Sequence, residues 1–76
     1  MVVDLVNYIL VNLVAEPDRL TVTAERTDES ILIEVTCGPD DAGRIIGRGG
    51  RVINAVRTLA RAAADGRQRV EVQLLE

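Results

Sequence analysis

The spacing of hydrophobic and polar residues changes several times along this 76-residue chain, and each spacing predicts an element. From Val3 to Val14 the chain is rich in apolar residues and lacks Gly and Pro, so we expect a helix that Pro17 stops. Elsewhere apolar residues alternate with polar ones, a pattern typical of half-buried strands. Three segments follow it: Leu20–Ala24, Ile31–Cys37 and Arg69–Leu75.

Two helices are expected between the second and third strands. After the break at Gly38-Pro39, a short helix is predicted from about Asp41 to Ile46, with Asp40 and Asp41 suited to its first turn. A longer helix is predicted over Arg51–Ala64, closed by Asp65-Gly66. On its helical wheel Ile53 and Ala60 lie at the border of an apolar stripe, which consists of Val52, Val56, Leu59 and Ala63.

The predicted order α-β-β-α-α-β defines the fold class. A short polar link, Arg26–Ser30, joins the first two strands, so they should form an antiparallel hairpin. The second strand reaches the third through two helices, and such a crossover places those strands parallel. We therefore expect one α+β domain over residues 1–76, with a three-stranded mixed sheet and three helices on one face.

Composition argues against several classes of protein. The chain has no histidine, one cysteine (Cys37) and one aromatic residue (Tyr8). No catalytic triad, metal-ligand set or Cys–His pair can be assembled, so neither an enzyme nor a bound cofactor is expected. The apolar segment 2–14 is too short to span a bilayer and carries Asp4 where a signal peptide is basic. We expect a cytoplasmic protein without a membrane partner.

Charge is distributed unevenly along the chain. Residues 1–41 carry a net charge of −7 and residues 42–76 a net charge of +4, for a total of −3. Within residues 42–61 there is no acid and there are five arginines: Arg44, Arg48, Arg51, Arg57 and Arg61. A local basic stripe of this kind can hold a phosphate backbone, although a solvated helix face is the simpler interpretation.

The segment Gly47-Arg48-Gly49-Gly50 is predicted to be the turn between the two helices. Glycines adopt positive φ and let another backbone approach closely. The helix that begins at Arg51 points its unpaired N–H groups at this turn, so the pattern favours a phosphate ligand. A dinucleotide fingerprint and a P-loop both fail, because Val52 replaces the third glycine and the chain has no Lys. A plain helix–turn–helix corner is the alternative.

A G-x-x-G turn between two helices, within the order α-β-β-α-α-β, resembles the KH domain in its type II (bacterial) arrangement. The match covers essentially the whole chain, whose length resembles the small bacterial single-KH proteins of the KhpA type. The signature residues are Pro39, Asp41, Gly43, Ile45, Ile46, Gly47, Arg48, Gly49, Gly50 and Ile53. The resemblance implies binding of single-stranded RNA, as an RNA chaperone or post-transcriptional regulator.

The resemblance also assigns roles by position. The backbone clamp on the sugar-phosphate chain falls on the loop from Gly47 to Gly50, with Arg44 and Arg51 adding charge beside it. The base groove should draw on the Ile31–Cys37 strand and on three aliphatic residues: Ile45, Ile46 and Val52. The variable loop of a type II domain falls on Arg26–Ser30, where the acids Asp28 and Glu29 argue against a grip on RNA.

The resemblance implies protein partners as well, namely a second copy of the chain or a second KH-containing RNA-binding protein. Apolar surface beyond the needs of one small core also favours a homodimer. The expected interface is the long helix at Ile53, Val56 and Ala60, and the alternative is the first helix at Val3, Val6 and Leu10. A protein–protein assembly module with a KH fold is the rival function. Arg48 favours RNA, because a pure scaffold does not need it.

Overall fold

The structure, a computed structural model, describes residues 2–64 and 68–75, and its elements follow the predicted order. The helices are α1 (Val2–Val11), α2 (Ala42–Ile46) and α3 (Arg51–Ala63). The strands are β1 (Thr21–Arg26), β2 (Ser30–Thr36) and β3 (Arg69–Leu74). Short 3-10 turns occupy Pro17–Arg19, Pro39–Asp41 and Arg48–Gly50. The helix end predicted at Asp65-Gly66 lies outside the described residues.

The sheet has the predicted mixed topology, which confirms the α+β class. β2 is the central strand, antiparallel to β1 and parallel to β3. Its alternation places Ile31, Ile33 and Val35 on one face, where each is at most 2% exposed. The helices cover this face, because their buried residues belong to the same apolar cluster.

Each helix contributes one buried stripe to this core. The stripe of α1 consists of Val2, Val6 and Leu10, α2 contributes Ile45, and the stripe of α3 consists of Ile53, Val56 and Ala60. The long-helix surface predicted for pairing therefore proves wrong, because Ile53, Val56 and Ala60 are at most 7% exposed. Of the alternative surface, Val6 and Leu10 are fully buried and Val3 is half-buried.

The long helix is rotated relative to the predicted wheel. Leu59, expected in the buried stripe, is 49% exposed, whereas Ile53 and Ala60 are 7% and 0% exposed. Two arginines bond to β3 next to the buried side of this helix. Arg57 donates from Nε and Nη2 to the Val72 carbonyl at 3.3 and 3.1 Å, and Arg61 donates from Nε to the Val70 carbonyl at 3.3 Å. These bonds hold the arginine-bearing side of α3 against β3, the edge strand.

α1 ends at Val11, three residues before the predicted end at Val14. The Asn12 Nδ2 group donates to the Tyr8 carbonyl at 2.7 Å, a local bond of the kind that competes with further helical turns. The chain then turns, and the next residues run towards the start of α2. Among the described residues, α1 and the other helices are too short or too polar to cross a membrane.

Candidate nucleic-acid-binding site

Three glycines give the loop between α2 and α3 its shape. Gly47, Gly49 and Gly50 have φ values of 76°, 63° and 81°. At Gly47 a Cβ atom would lie 2.5 Å from Val52 Cγ2 and 2.8 Å from the Val52 nitrogen, whereas at Gly49 it would meet nothing within 4 Å. Gly47 therefore closes the loop against α3, and Gly49 presents open backbone to a ligand.

The same loop ends at the N-terminus of α3. Gly50 is the N-cap residue in the left-handed conformation, and no side chain caps the helix. The first turn of this 13-residue helix contains no acid. The Arg51 amide donates to the Arg48 carbonyl, and the positive end of the helix dipole faces an anion that approaches the loop.

Two of the predicted cations stand beside this position without a partner. Arg48 and Arg51 are exposed, and neither forms an ion pair within residues 2–64 and 68–75. Arg44 differs, because its Nη1 lies 2.8 Å from Asp41 Oδ1 and 3.3 Å from the Asp40 carbonyl. Of the five arginines in residues 42–61, only Arg48 and Arg51 offer uncompensated charge at the loop, because Arg57 and Arg61 bond to β3.

The predicted aliphatic groove is smaller than the sequence indicates. Ile45 is fully buried in the core, so its predicted contact with bases is wrong. Ile31, Ile33 and Val35 of β2 face the same core. Ile46 is 41% exposed and Val52 is half-buried, so these two residues supply the apolar surface next to the loop.

Asp41 has a role that the sequence does not reveal. Its carboxylate was expected to serve the first turn of α2, but it makes no cap bond to that helix. Oδ1 and Oδ2 instead accept the Ala15 and Glu16 amides at 2.9 and 3.0 Å. These amide hydrogen bonds, the Ala15 bond first, and Arg44 lower the pKa of Asp41 against the effect of burial. No local sequence signal could identify a partner 25 residues away.

The predicted variable loop is closed by its own side chains. Thr27 Oγ1 accepts the Glu29 and Ser30 amides at 3.3 and 3.0 Å, and the Thr27 amide donates to the Ser30 carbonyl at 2.9 Å. Asp28 and Glu29 are exposed at its tip. The loop is therefore compact and acidic, and the expectation that it does not hold RNA stays a prediction.

Comparison with known proteins places this geometry in a family. The model of the family described as "KhpA/KhpB, KH domain" matches residues 3–74. The chain is 38% identical to the RNA-binding protein KhpA of Leifsonia xyli subsp. xyli over 76 residues, which cover 100% of this chain and 99% of that protein. It is 40% identical to the RNA-binding protein KhpA of Caldanaerobacter subterraneus subsp. tengcongensis over 73 residues, or 95% and 97% of the two chains.

A solved structure supports the fold independently. The crystal structure of Era from Aquifex aeolicus superposes with a TM-score of 0.70 over 97% of this chain and 30% of that chain, at 18% identity. At this identity the likeness shows the fold alone. Together with the glycine loop and its position between α2 and α3, the family match over residues 3–74 shows that this chain belongs to the KhpA/KhpB family of KH domains.

Proposed function

We propose that this protein binds single-stranded RNA through the backbone of the Gly47–Gly50 loop. The observation that carries the proposal is the open backbone at Gly49, next to a helix N-terminus without a side-chain cap and beside two unpaired arginines. The KhpA relatives are themselves named RNA-binding proteins. These features together suit a sugar-phosphate chain laid across the loop.

The loop suits a phosphate for electrostatic and steric reasons. A Cβ atom at position 49 would stand in the space that a phosphate needs, and glycine leaves that space empty. Arg48 and Arg51 supply positive charge that exposed phosphates attract, and the α3 dipole adds to it. The grip is on the backbone, so it selects for the nucleic-acid strand before it selects for any base.

The flanks of the loop favour a single strand over a duplex. Ile46 and Val52 offer a small aliphatic surface on which unstacked bases can lie. A closed helix hides those base faces, and the loop is too small to grip two strands. We expect the protein to meet RNA in the cytoplasm, where a lone cysteine suits the reducing conditions, and to act as an RNA chaperone or post-transcriptional regulator.

Fluorescence anisotropy with short single-stranded RNA, single-stranded DNA and duplex RNA, across a range of salt concentrations, tests the proposal. With Arg48 and Arg51 facing phosphates, the log–log salt slope for a single strand should be about −1.4. Duplex RNA should bind more weakly. Equal binding of duplex and single strand, or no binding of single strands, would contradict the proposal and leave the assembly module as the better interpretation.

We also propose a homodimer, since two weak sites in one particle raise avidity without new contacts. A heteromer with a second KH-containing RNA-binding protein is the alternative assembly. The surface of the homodimer cannot be the buried stripe of α3, which consists of Ile53, Val56 and Ala60. The exposed apolar side chains on the helices include Leu59 of α3 and Tyr8 of α1, at 49% and 67% exposure. In sedimentation experiments the wild-type protein should be a dimer and the Leu59→Asp variant a monomer. A wild-type monomer at tens of micromolar would overturn this proposal.

A further inference from the structure

Asp41 is the one charged side chain that is buried among residues 2–64 and 68–75. It accepts three donors: the amides of Ala15 and Glu16 and the Arg44 guanidinium. A buried carboxylate is costly unless its oxygens are hydrogen-bonded, and here both of them are. The arrangement thus joins the connection between α1 and β1 to the segment that leads into the glycine loop.

The position of Asp41 in the chain makes this junction relevant to the loop. Asp41 immediately precedes α2, and Gly47 immediately follows it. α2 has five residues, about 7.5 Å of helix, and so short a helix is not stable without tertiary contacts. Ile45 anchors its far end in the core, and Asp41 anchors its near end. Both anchors lie on the segment that leads into the glycine loop, whose other side rests against Val52 of α3.

Arg44 belongs to the near anchor. Its Nη1 bonds to Asp41 Oδ1 at 2.8 Å and to the Asp40 carbonyl at 3.3 Å, although half of the side chain remains exposed. The carboxylate compensates its charge, so an approaching phosphate meets a neutral pair. Arg48 and Arg51, which form no ion pair in the described part of the chain, meet the phosphate as full cations.

We propose that Asp41 is a positioning residue that fixes the glycine loop for RNA, and that Arg44 acts through Asp41 instead of contacting phosphate. This inference rests on the proposed function. It changes the role of Arg44 from a ligand of the phosphate to a part of the support under the loop.

The salt dependence of RNA binding separates the two roles of Arg44. A residue that contacts phosphate contributes about 0.7 to the log–log slope on a single strand. Arg48→Gln should therefore lower the slope by about 0.7, whereas Arg44→Gln should weaken binding and leave the slope at its wild-type value. A slope for Arg44→Gln that falls as far as that for Arg48→Gln would overturn the inference. If Arg48→Gln leaves the salt slope unchanged, the proposed function itself is overturned.

Asp41→Asn tests the positioning role. The amide nitrogen of Asn faces N–H donors, so the junction loosens while the glycine loop keeps its sequence. The control is Val70→Ala, which removes buried apolar atoms from β3, on an element other than α2 and the loop. Because Asp41→Asn frees the Arg44 cation, it is combined with Arg44→Gln. Well below the melting temperatures, this double variant should bind RNA about fivefold more weakly than wild type with an unchanged slope, and Val70→Ala should bind as wild type. Wild-type affinity of the double variant would overturn the inference. If this variant does not fold, the slope of Arg44→Gln decides.

Discussion

Two short loops of this protein turn the chain with different chemistry. The hairpin loop, Thr27–Glu29 between β1 and β2, is closed by side chains: Thr27 Oγ1 accepts the Glu29 and Ser30 amides, and the Thr27 carbonyl accepts Gln68 Nε2 at 3.2 Å. The glycine loop, Gly47–Gly50, is closed by backbone conformation, with three positive φ values and one internal bond, from the Gly50 amide to the Gly47 carbonyl at 3.1 Å.

The difference shows where a ligand can be accommodated. In the hairpin loop Thr27 Oγ1 already accepts the Glu29 and Ser30 amides, and the acids Asp28 and Glu29 repel a phosphate. The glycine loop leaves a helix N-terminus without a side-chain cap, with Arg48 and Arg51 beside it. Amides that are bonded within a loop stabilise the fold and are not available to a ligand, whereas the glycine loop leaves backbone that a ligand can reach.

The largest expected effect on stability comes from adding a side chain at Gly47, where the glycine loop packs against Val52. Gly47→Ala would place a Cβ atom 2.5 Å from Val52 Cγ2 at a φ of 76°, so the free energy of unfolding should fall by about 2–4 kcal/mol. Gly43→Ala is the matched control, because its Cβ meets nothing within 4 Å inside α2, and it should be neutral or stabilising. Chemical denaturation measures both. Similar stabilities for the two variants would show that the loop can move away from Val52.

The pH dependence of thermal stability should distinguish Asp41, which precedes the glycine loop, from Asp28 in the hairpin loop. The pKa of Asp41 lies below its ordinary value of 3.8 in the folded chain, so its ionised form stabilises the fold above that pH, and this stability is lost as pH falls through the folded pKa. Thermal melting at decreasing pH should show a shallower loss for Asp41→Asn than for wild type. Asp28→Asn, in the exposed hairpin loop, should keep the wild-type profile. If Asp41→Asn loses stability with falling pH as steeply as wild type, Asp41 is not the source of that loss.

A smaller effect is expected from opening the hairpin loop. Thr27→Val keeps the shape of the side chain but removes the oxygen that accepts the Glu29 and Ser30 amides. The unfolding free energy should fall by about 1 kcal/mol, with RNA affinity unchanged. Denaturation and anisotropy on the same sample measure both quantities. A lower RNA affinity of Thr27→Val would show that the hairpin loop takes part in binding.

The sequence predicts the glycine loop and the sheet because both signals are local. Positive φ demands glycine where it occurs, and alternation along β2 gives the buried face directly. The family match then agrees with the resemblance that the motif and the element order suggest.

The failures concern contacts between elements that are distant in sequence. Ile53 and Leu59 lie at opposite edges of one apolar arc on the helical wheel, so the wheel alone does not determine which edge is buried, and the structure buries the edge beside Arg57, which with Arg61 bonds to β3. In the same way Asp41 resembles any acid at a helix start until the fold brings Ala15 and Glu16 to it. The predicted interface and the base contact of Ile45 failed for this reason, since apolar character alone does not separate core from surface.

RNA binding by a charge-matched pair of variants tests the role of the glycine loop most directly. Arg48→Asp with Gly49→Asp places two carboxylates on the open side of the loop, where a Cβ at position 49 meets no atom within 4 Å and the positive φ costs Asp about 1–2 kcal/mol, so the fold should persist. Arg26→Gln with Arg69→Glu makes the same change in net charge at two exposed residues beside the hairpin loop. In anisotropy titrations with single-stranded RNA, the first variant should be folded and show no binding, and the second should bind like wild type. Binding by the first variant, or its unfolding, would contradict the account and make the glycines a structural corner only.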